Sequence, residues 1–151
     1  MLQALCSHIA VAVQNASAFL RERQLKEQMD RDAQEARVIQ QSLLPKASPY
    51  IPGFAVTGLS IPAGPVGGDF YDFVPLKDGR WALVLADVSG KGMGAALLMS
   101  ATRGMVRSLA EASCCPSEVL ERLNKLLAED FPSGKFVTMV YGILDPAKRS
   151  G

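Results

Sequence analysis

"GGDFYDFVPLKDGRWALVLADVSGKG", residues 67–92, is the stretch on which the fold turns. Its aromatic and β-branched residues ask for two strands, "GGDFYDFVPL" and "RWALVLADVSG", and Lys77, Asp78 and Gly79 supply a turn between them. The two strands therefore read as antiparallel neighbours. The double glycine Gly67-Gly68 weakens the first strand just where it presents a carboxylate, which marks a bulge or a place where something approaches the backbone. Side chains alternate along a strand, so Asp69 shares a face with Tyr71 and Phe73, whereas Asp72 points to the other side with Phe70.

Outward from this hairpin, "GFAVTGLSIPA" (53–63) has the alternation of a further strand on the N-terminal side. On the C-terminal side, "MGAALLMSATRGMVRSLAEA" has apolar residues on nearly every face, so a largely buried helix is expected over 93–112. Pro116 opens a second helix to about residue 130, with Val119, Leu120, Leu123, Leu126 and Leu127 on one stripe. "KFVTMVYGILD" (135–145) is a last strand. Three strands, two helices and a strand make an α+β pattern.

The N-terminal part is different. Leu2, Leu5, Ile9, Ala12, Ala16 and Phe19 form one helical seam, and Leu25, Met29, Ala36, Ile39 and Leu43 form another. Between them the steps Phe19–Glu22–Leu25 are three and three, a stammer. No Gly or Pro precedes Pro45, so one helix is expected from 2 to 43. Its middle, "RERQLKEQMDRDAQEAR", mixes both charges as the flanks of a paired helix do. Pro45, Pro49, Pro52 and Gly53 then break it.

Composition narrows the functions. With 151 residues, 48% of them hydrophobic, the chain suits one domain with an appendage and can bury a real core. Sixteen Lys and Arg stand against 15 Asp and Glu with no basic run, which argues against a nucleic-acid partner. Cys6, Cys114 and Cys115 match neither a disulfide framework nor a zinc spacing, and point to a reducing, cytoplasmic setting. "MLQALCSHIAVAVQNASA" ends like a signal peptide but lacks a basic leader and is interrupted by Gln3, His8 and Gln14. No segment approaches the ~18 apolar residues that a bilayer span requires.

Two acids stand apart from the charged helix, Asp69 after the double glycine and Asp87 at the end of "WALVLA". A carboxylate ending a buried strand must be paired, hydrogen-bonded or bound to metal. Hard divalent cations take such carboxylates with backbone carbonyls and water, and the glycines would let a hydrated ion come close. Turn capping is the plain alternative for both acids. "SGKG" is not a Walker loop, because Leu85 holds the place of its first Gly and Gly92 that of its Ser or Thr. Gly90 and Gly92 instead suit a tight strand-to-helix turn facing a site. His8 shares no local motif with Ser89 or a cysteine, so nucleophilic catalysis finds little support.

"QQSLLP" (40–45), "GGDFYDF" (67–73), "LADVSGKGMGAALLMS" (85–100), "LERLNKLL" (120–127) and "FVTMVYGILD" (136–145) together resemble the SpoIIE/RsbU branch of the metal-dependent (PPM) protein serine/threonine phosphatases. Residues 1–24 resemble the closing helix of a GAF-like sensor domain, 25–44 a coiled-coil linker, and 45–151 the N-terminal portion of the phosphatase domain. The resemblance implies a partial PPM fold, an antiparallel β-sandwich flanked by helices. It implies two Mn²⁺ or Mg²⁺ ions that activate water for hydrolysis of phosphoserine or phosphothreonine. Asp69 and Asp87 take the places of metal-ligating acids, with Asp87 bridging the ions, and Val88 that of a ligating backbone carbonyl. The partner implied is a phosphorylated regulatory protein such as an anti-sigma factor antagonist; homodimerisation through the N-terminal helix is expected from its thin apolar stripe, which needs a partner, with a monomeric helix folded back on the domain as the alternative. The family's later Gly-His-Asn-like and Ser-Asp-Gly motifs do not occur before Gly151, so weak metal binding and little turnover are expected of these 151 residues alone.

Overall fold

The structure, a computed structural model, describes residues 1–148, with side chains for all of these but residues 2–6. The elements are α1 (Leu2–Leu43), β1 (Phe70–Pro75), β2 (Trp81–Val88), α2 (Gly92–Ala112), α3 (Pro116–Asp130) and β3 (Val137–Leu144). The chain divides into two units, Met1–Glu35 and Ala36–Gly151.

The first unit is helical throughout and continues through the stammer without a break. Pairs such as Arg23 with Glu27 at 2.9 Å and Gln28 with Asp32 at 2.8 Å follow the i,i+4 spacing that supports a solvated helix. Ile9, Phe19, Leu25 and Met29 are nonetheless each more than half exposed.

In the second unit, β1, β2 and β3 form an antiparallel sheet in that order, the one sheet among the described residues. The expected hairpin is present: the Leu76 N–H donates to the Arg80 carbonyl at 2.8 Å, and Gly79 turns the chain at φ +85°. One face of the sheet, with Phe70, Val74, Ala82, Val84, Ala86, Val88 and Tyr141, packs on Met99, Val106 and Ala110 of α2 and on Val119 and Leu123 of α3. This is the core. Burying whole side chains of this kind contributes about 1.5–3 kcal/mol each. The α+β class read from the sequence is thus the class of the structure.

Two expectations fail. Residues 53–63 form no strand; only an isolated bridge, Ile51 to Phe54, marks the segment's start. Alternation describes side chains, but a strand also needs a neighbour's N–H and C=O groups, and beyond the Ile51–Phe54 bridge this segment pairs with no strand among the described residues. It passes over the face of the sheet turned away from the helices, so close that a Cβ on Gly58 would overlap the Tyr71 ring. The second failure concerns α2, which is buried along one stripe, Ala95, Ala96, Met99, Thr102, Val106 and Ala110. Leu97 remains 66% exposed on the opposite side, so apolar composition overstated how much of this helix is enclosed.

Candidate metal centre

Asp69 precedes the first residue of β1 and Asp87 lies next to the last residue of β2. The ladder pairs Phe70 with Ala86 and Asp87 with Thr138, which carries Asp69, Asp87 and Thr138 to one end of the sheet's outer face. There the two acids line one recess, near enough for Asp87 to act on Asp69 electrostatically. Asp69 is pushed above the usual carboxylate range, first by partial loss of water and then by the hydrogen bond and charge of Asp87. Asp69 is exposed by area, yet the recess around it still removes part of its hydration.

That recess measures about 460 Å³ and is lined by Leu59, Ser60 and Ile61 on one side and by Asp69, Tyr71, Leu85, Asp87, Thr138 and Val140 on the sheet. Two acids held against each other at an open recess repel one another unless a proton or a cation lies between them. Carboxylate oxygens are the donors that hard divalent cations prefer, so the side chains fit such an ion. Among the described residues no third His, Cys, Asp or Glu joins them. The Thr138 hydroxyl stands 3.5 Å from the Asp87 carbonyl.

The glycines work differently from the sequence expectation. A Cβ on Gly68 would sit 2.5 Å from the Val88 carbonyl oxygen, and one on Gly67 would sit 3.1 Å from the Pro62 Cβ. The space that the missing side chains leave is filled by the chain itself, not reserved for a hydrated ion. Val88 donates its N–H to the Gly68 carbonyl at 3.3 Å, so its own carbonyl faces the Gly68 backbone while its side chain is fully buried. Gly90, at φ +108°, makes the turn from β2 towards α2, and a Cβ there would meet the Lys135 ammonium at 2.7 Å. Gly92 opens α2 at φ +70° with open space around it.

Asp72 is separated from Asp69 as alternation required. It is 1% exposed on the helix side, where the Arg107 Nη1 donates to both its oxygens at 2.9 and 2.8 Å. The Arg103 Nε lies 2.9 Å from Oδ2 but off the N–H axis, so that contact is an ion pair without a hydrogen bond. Burial lowers the Arg103 pKa and the Asp72 charge opposes this. Arg103 and Arg107 are four apart on α2, a spacing visible in the sequence. Gln40 entered the sequence reading only as the first residue of "QQSLLP", without a role of its own. It is 8% exposed near the end of α1, its Nε2 donates to the Gly67 carbonyl at 2.7 Å, and its Oε1 accepts from the Gly67 N–H at 3.0 Å.

A family model described as Stage II sporulation protein E (SpoIIE) matches residues 77–150, an interval that contains Asp87, Val88, Gly90 and Gly92. Over these residues the chain is similar to the SpoIIE family. It is 34% identical over 119 residues to phosphoserine phosphatase RsbU of Bacillus subtilis (strain 168), a match covering 79% of this chain and 35% of RsbU. It is 38% identical over 76 residues to protein IcfG of Synechocystis sp., covering 50% of this chain and 12% of IcfG. A crystal structure of the RsbU and RsbW domains of Rv1364c from Mycobacterium tuberculosis aligns at TM-score 0.49 and 36% identity, over 55% of this chain and 23% of the other. The chain thus spans about a third of the length of RsbU. No described helix is long and apolar enough to cross a membrane.

Proposed function

We propose that the chain is the N-terminal part of the catalytic domain of a metal-dependent protein serine/threonine phosphatase. Its substrate class is phosphoserine or phosphothreonine on a cytoplasmic regulatory protein of bacterial signalling, such as an anti-sigma factor antagonist. The observation that carries this reading is that Asp69 and Asp87 line the same open recess, because neighbouring carboxylates are a donor set for Mn²⁺ or Mg²⁺. When bound in the complete domain, two such ions would supply Lewis acidity that activates water, so that no histidine base would be needed.

Residues of this chain have separate tasks in that reaction. Asp69 and Asp87 would hold and orient the ions, and the Val88 carbonyl would add a neutral oxygen donor. The close packing of Gly68 on Val88 fixes the spacing between the start of β1 and the end of β2, which carry these donors. Leu59, Ile61, Leu85 and Val140 make the recess wall beside the acids apolar where a phosphorylated side chain would enter.

Manganese-dependent release of phosphate from a phosphoserine protein by the complete protein, lost in Asp87→Asn and in Asp69→Asn, is the expected result. Unchanged release in either variant would refute the assignment. A second reading, a non-catalytic dimerisation piece, draws on the exposed apolar residues Phe19, Leu25 and Met29 of α1. We assign those residues to pairing with a second copy within the same phosphatase, with 1–24 closing a GAF-like domain and 25–44 acting as a coiled-coil linker. Asp87→Asn separates the two readings: a phosphatase loses dephosphorylation and keeps its dimer, whereas a scaffold signals as before.

A further inference from the structure

We infer that Gln40 is a positioning residue for Asp69, acting through the Gly67 peptide; the inference rests on the metal site proposed above. Two consecutive glycines are the most deformable point a chain can have, since neither φ nor ψ is restrained by a side chain. Yet the carboxyl of Asp69, immediately after them, must face the recess that it shares with Asp87. The order has to come from outside the segment.

Val88 holds Gly68, with its N–H on the Gly68 carbonyl at 3.3 Å and its carbonyl against the Gly68 Cα. Gln40 holds Gly67 from the other side. Its amide satisfies the Gly67 N–H and the Gly67 carbonyl together, at 3.0 and 2.7 Å, as a neighbouring strand would. The Gln40 side chain is 8% exposed among Val66, Met93 and Ala96, so water is a poor substitute for it. A lysine or glutamate could not do the same job. Only a primary amide presents a donor and an acceptor side by side to one peptide. Leu44 packs on the core one turn later and anchors the end of the helix that carries Gln40. Gln40 therefore touches neither ion nor substrate, and acts by setting where the Asp69 backbone begins.

The test uses Gln40→Met, which keeps the side-chain volume and removes both bonds, and Gln40→Glu, which keeps the acceptor and removes the donor. Mn²⁺ alone is titrated into the complete protein at low temperature, where circular dichroism shows each variant folded, and free Mn²⁺ is read by electron paramagnetic resonance. Amide hydrogen exchange at Gly67–Asp69 is followed in parallel. Gln40→Met should weaken Mn²⁺ binding roughly 10–100-fold, the range for residues that orient a ligand, and Gln40→Glu less. Both should speed exchange at Gly67. Val119→Ala, a core truncation on α3, should lower the melting temperature and leave Mn²⁺ affinity as in wild type. Wild-type affinity in Gln40→Met, with or without faster exchange, overturns the positioning role. Equal loss of affinity in Val119→Ala also overturns it, because general destabilisation would then account for both. Wild-type Mn²⁺ binding that survives Asp87→Asn refutes the metal site itself, and the role of Gln40 with it.

Discussion

Asp72→Asn keeps the shape of a side chain that is 1% exposed and removes the charge that faces two guanidinium groups. Removing one partner of a buried ion pair costs about 3–5 kcal/mol when the other charge is left enclosed. Here the side chain of Arg107 is 39% exposed and that of Arg103 14%, so both cations recover part of their hydration. The new amide oxygen can also still accept one Arg107 hydrogen bond. Discounting for these leaves about 2–3 kcal/mol. For a unit of this size that corresponds to a fall of about 8–12 °C in melting temperature. Differential scanning calorimetry of the metal-free protein measures it, and adding Arg103→Met should recover part of the loss because no buried charge is then unpaired. Mn²⁺ affinity, measured below the transition, should not change. An unchanged melting temperature would refute the burial argument. An unchanged melting temperature with lost Mn²⁺ binding would make Asp72, and not Asp69, the acid that meets the ion.

Gly68→Ala forces a Cβ against the Val88 carbonyl and should cost roughly 1–3 kcal/mol by thermal melting. Gly104→Ala, in the interior of α2 with nothing within 4 Å of the new Cβ, should stabilise by roughly 0.5–1 kcal/mol. Asp87→Asn in metal-free buffer at pH 7 should raise the melting temperature slightly, since it relieves the like-charge contact with Asp69, and should abolish Mn²⁺ binding in the same sample. Tyr141→Phe removes a buried hydroxyl that has no partner among the described residues, and equilibrium urea unfolding should show stability unchanged or raised. Leu25→Glu with Met29→Glu should convert a dimer to a monomer in analytical ultracentrifugation; a dimer that persists would place the contact elsewhere than α1.

Much of the fold lies open in the sequence because its signals are local. Alternation in "DFYDFV" and "WALVLADV", the Lys77-Asp78-Gly79 turn and the Pro116 start each act within a few residues, and each element appears where it was expected. The opposition of Asp69 and Asp72 across β1 follows from the same period of two. What could not be read depends on contacts far apart in the chain. The segment 53–63 has a strand's pattern but no ladder partner, and pattern cannot report a partner. Gln40 looks like any polar residue near a helix end until Gly67, 27 positions later, comes to rest against it. The double glycine gave a correct warning of close approach and a wrong identity for what approaches, since Val88 and Pro62 occupy the space. Arg103 and Arg107 carried a usable sign, two cations one helical turn apart on an otherwise apolar helix.

The outer face of the sheet has a practical consequence for anyone preparing these residues as a reagent. Leu85 and Val140 lie side by side there, 61% and 67% exposed, with Leu59 and Ile61 above them at 80% and 78%. On either side of that patch β1 and β3 present backbone edges that pair with nothing described. Sticky faces bordered by open edges favour sheet-to-sheet stacking between copies as protein concentration rises. Light scattering of a dilution series should therefore accompany every binding titration, and Leu85→Lys with Val140→Thr is the first pair of changes to make for a well-behaved stock.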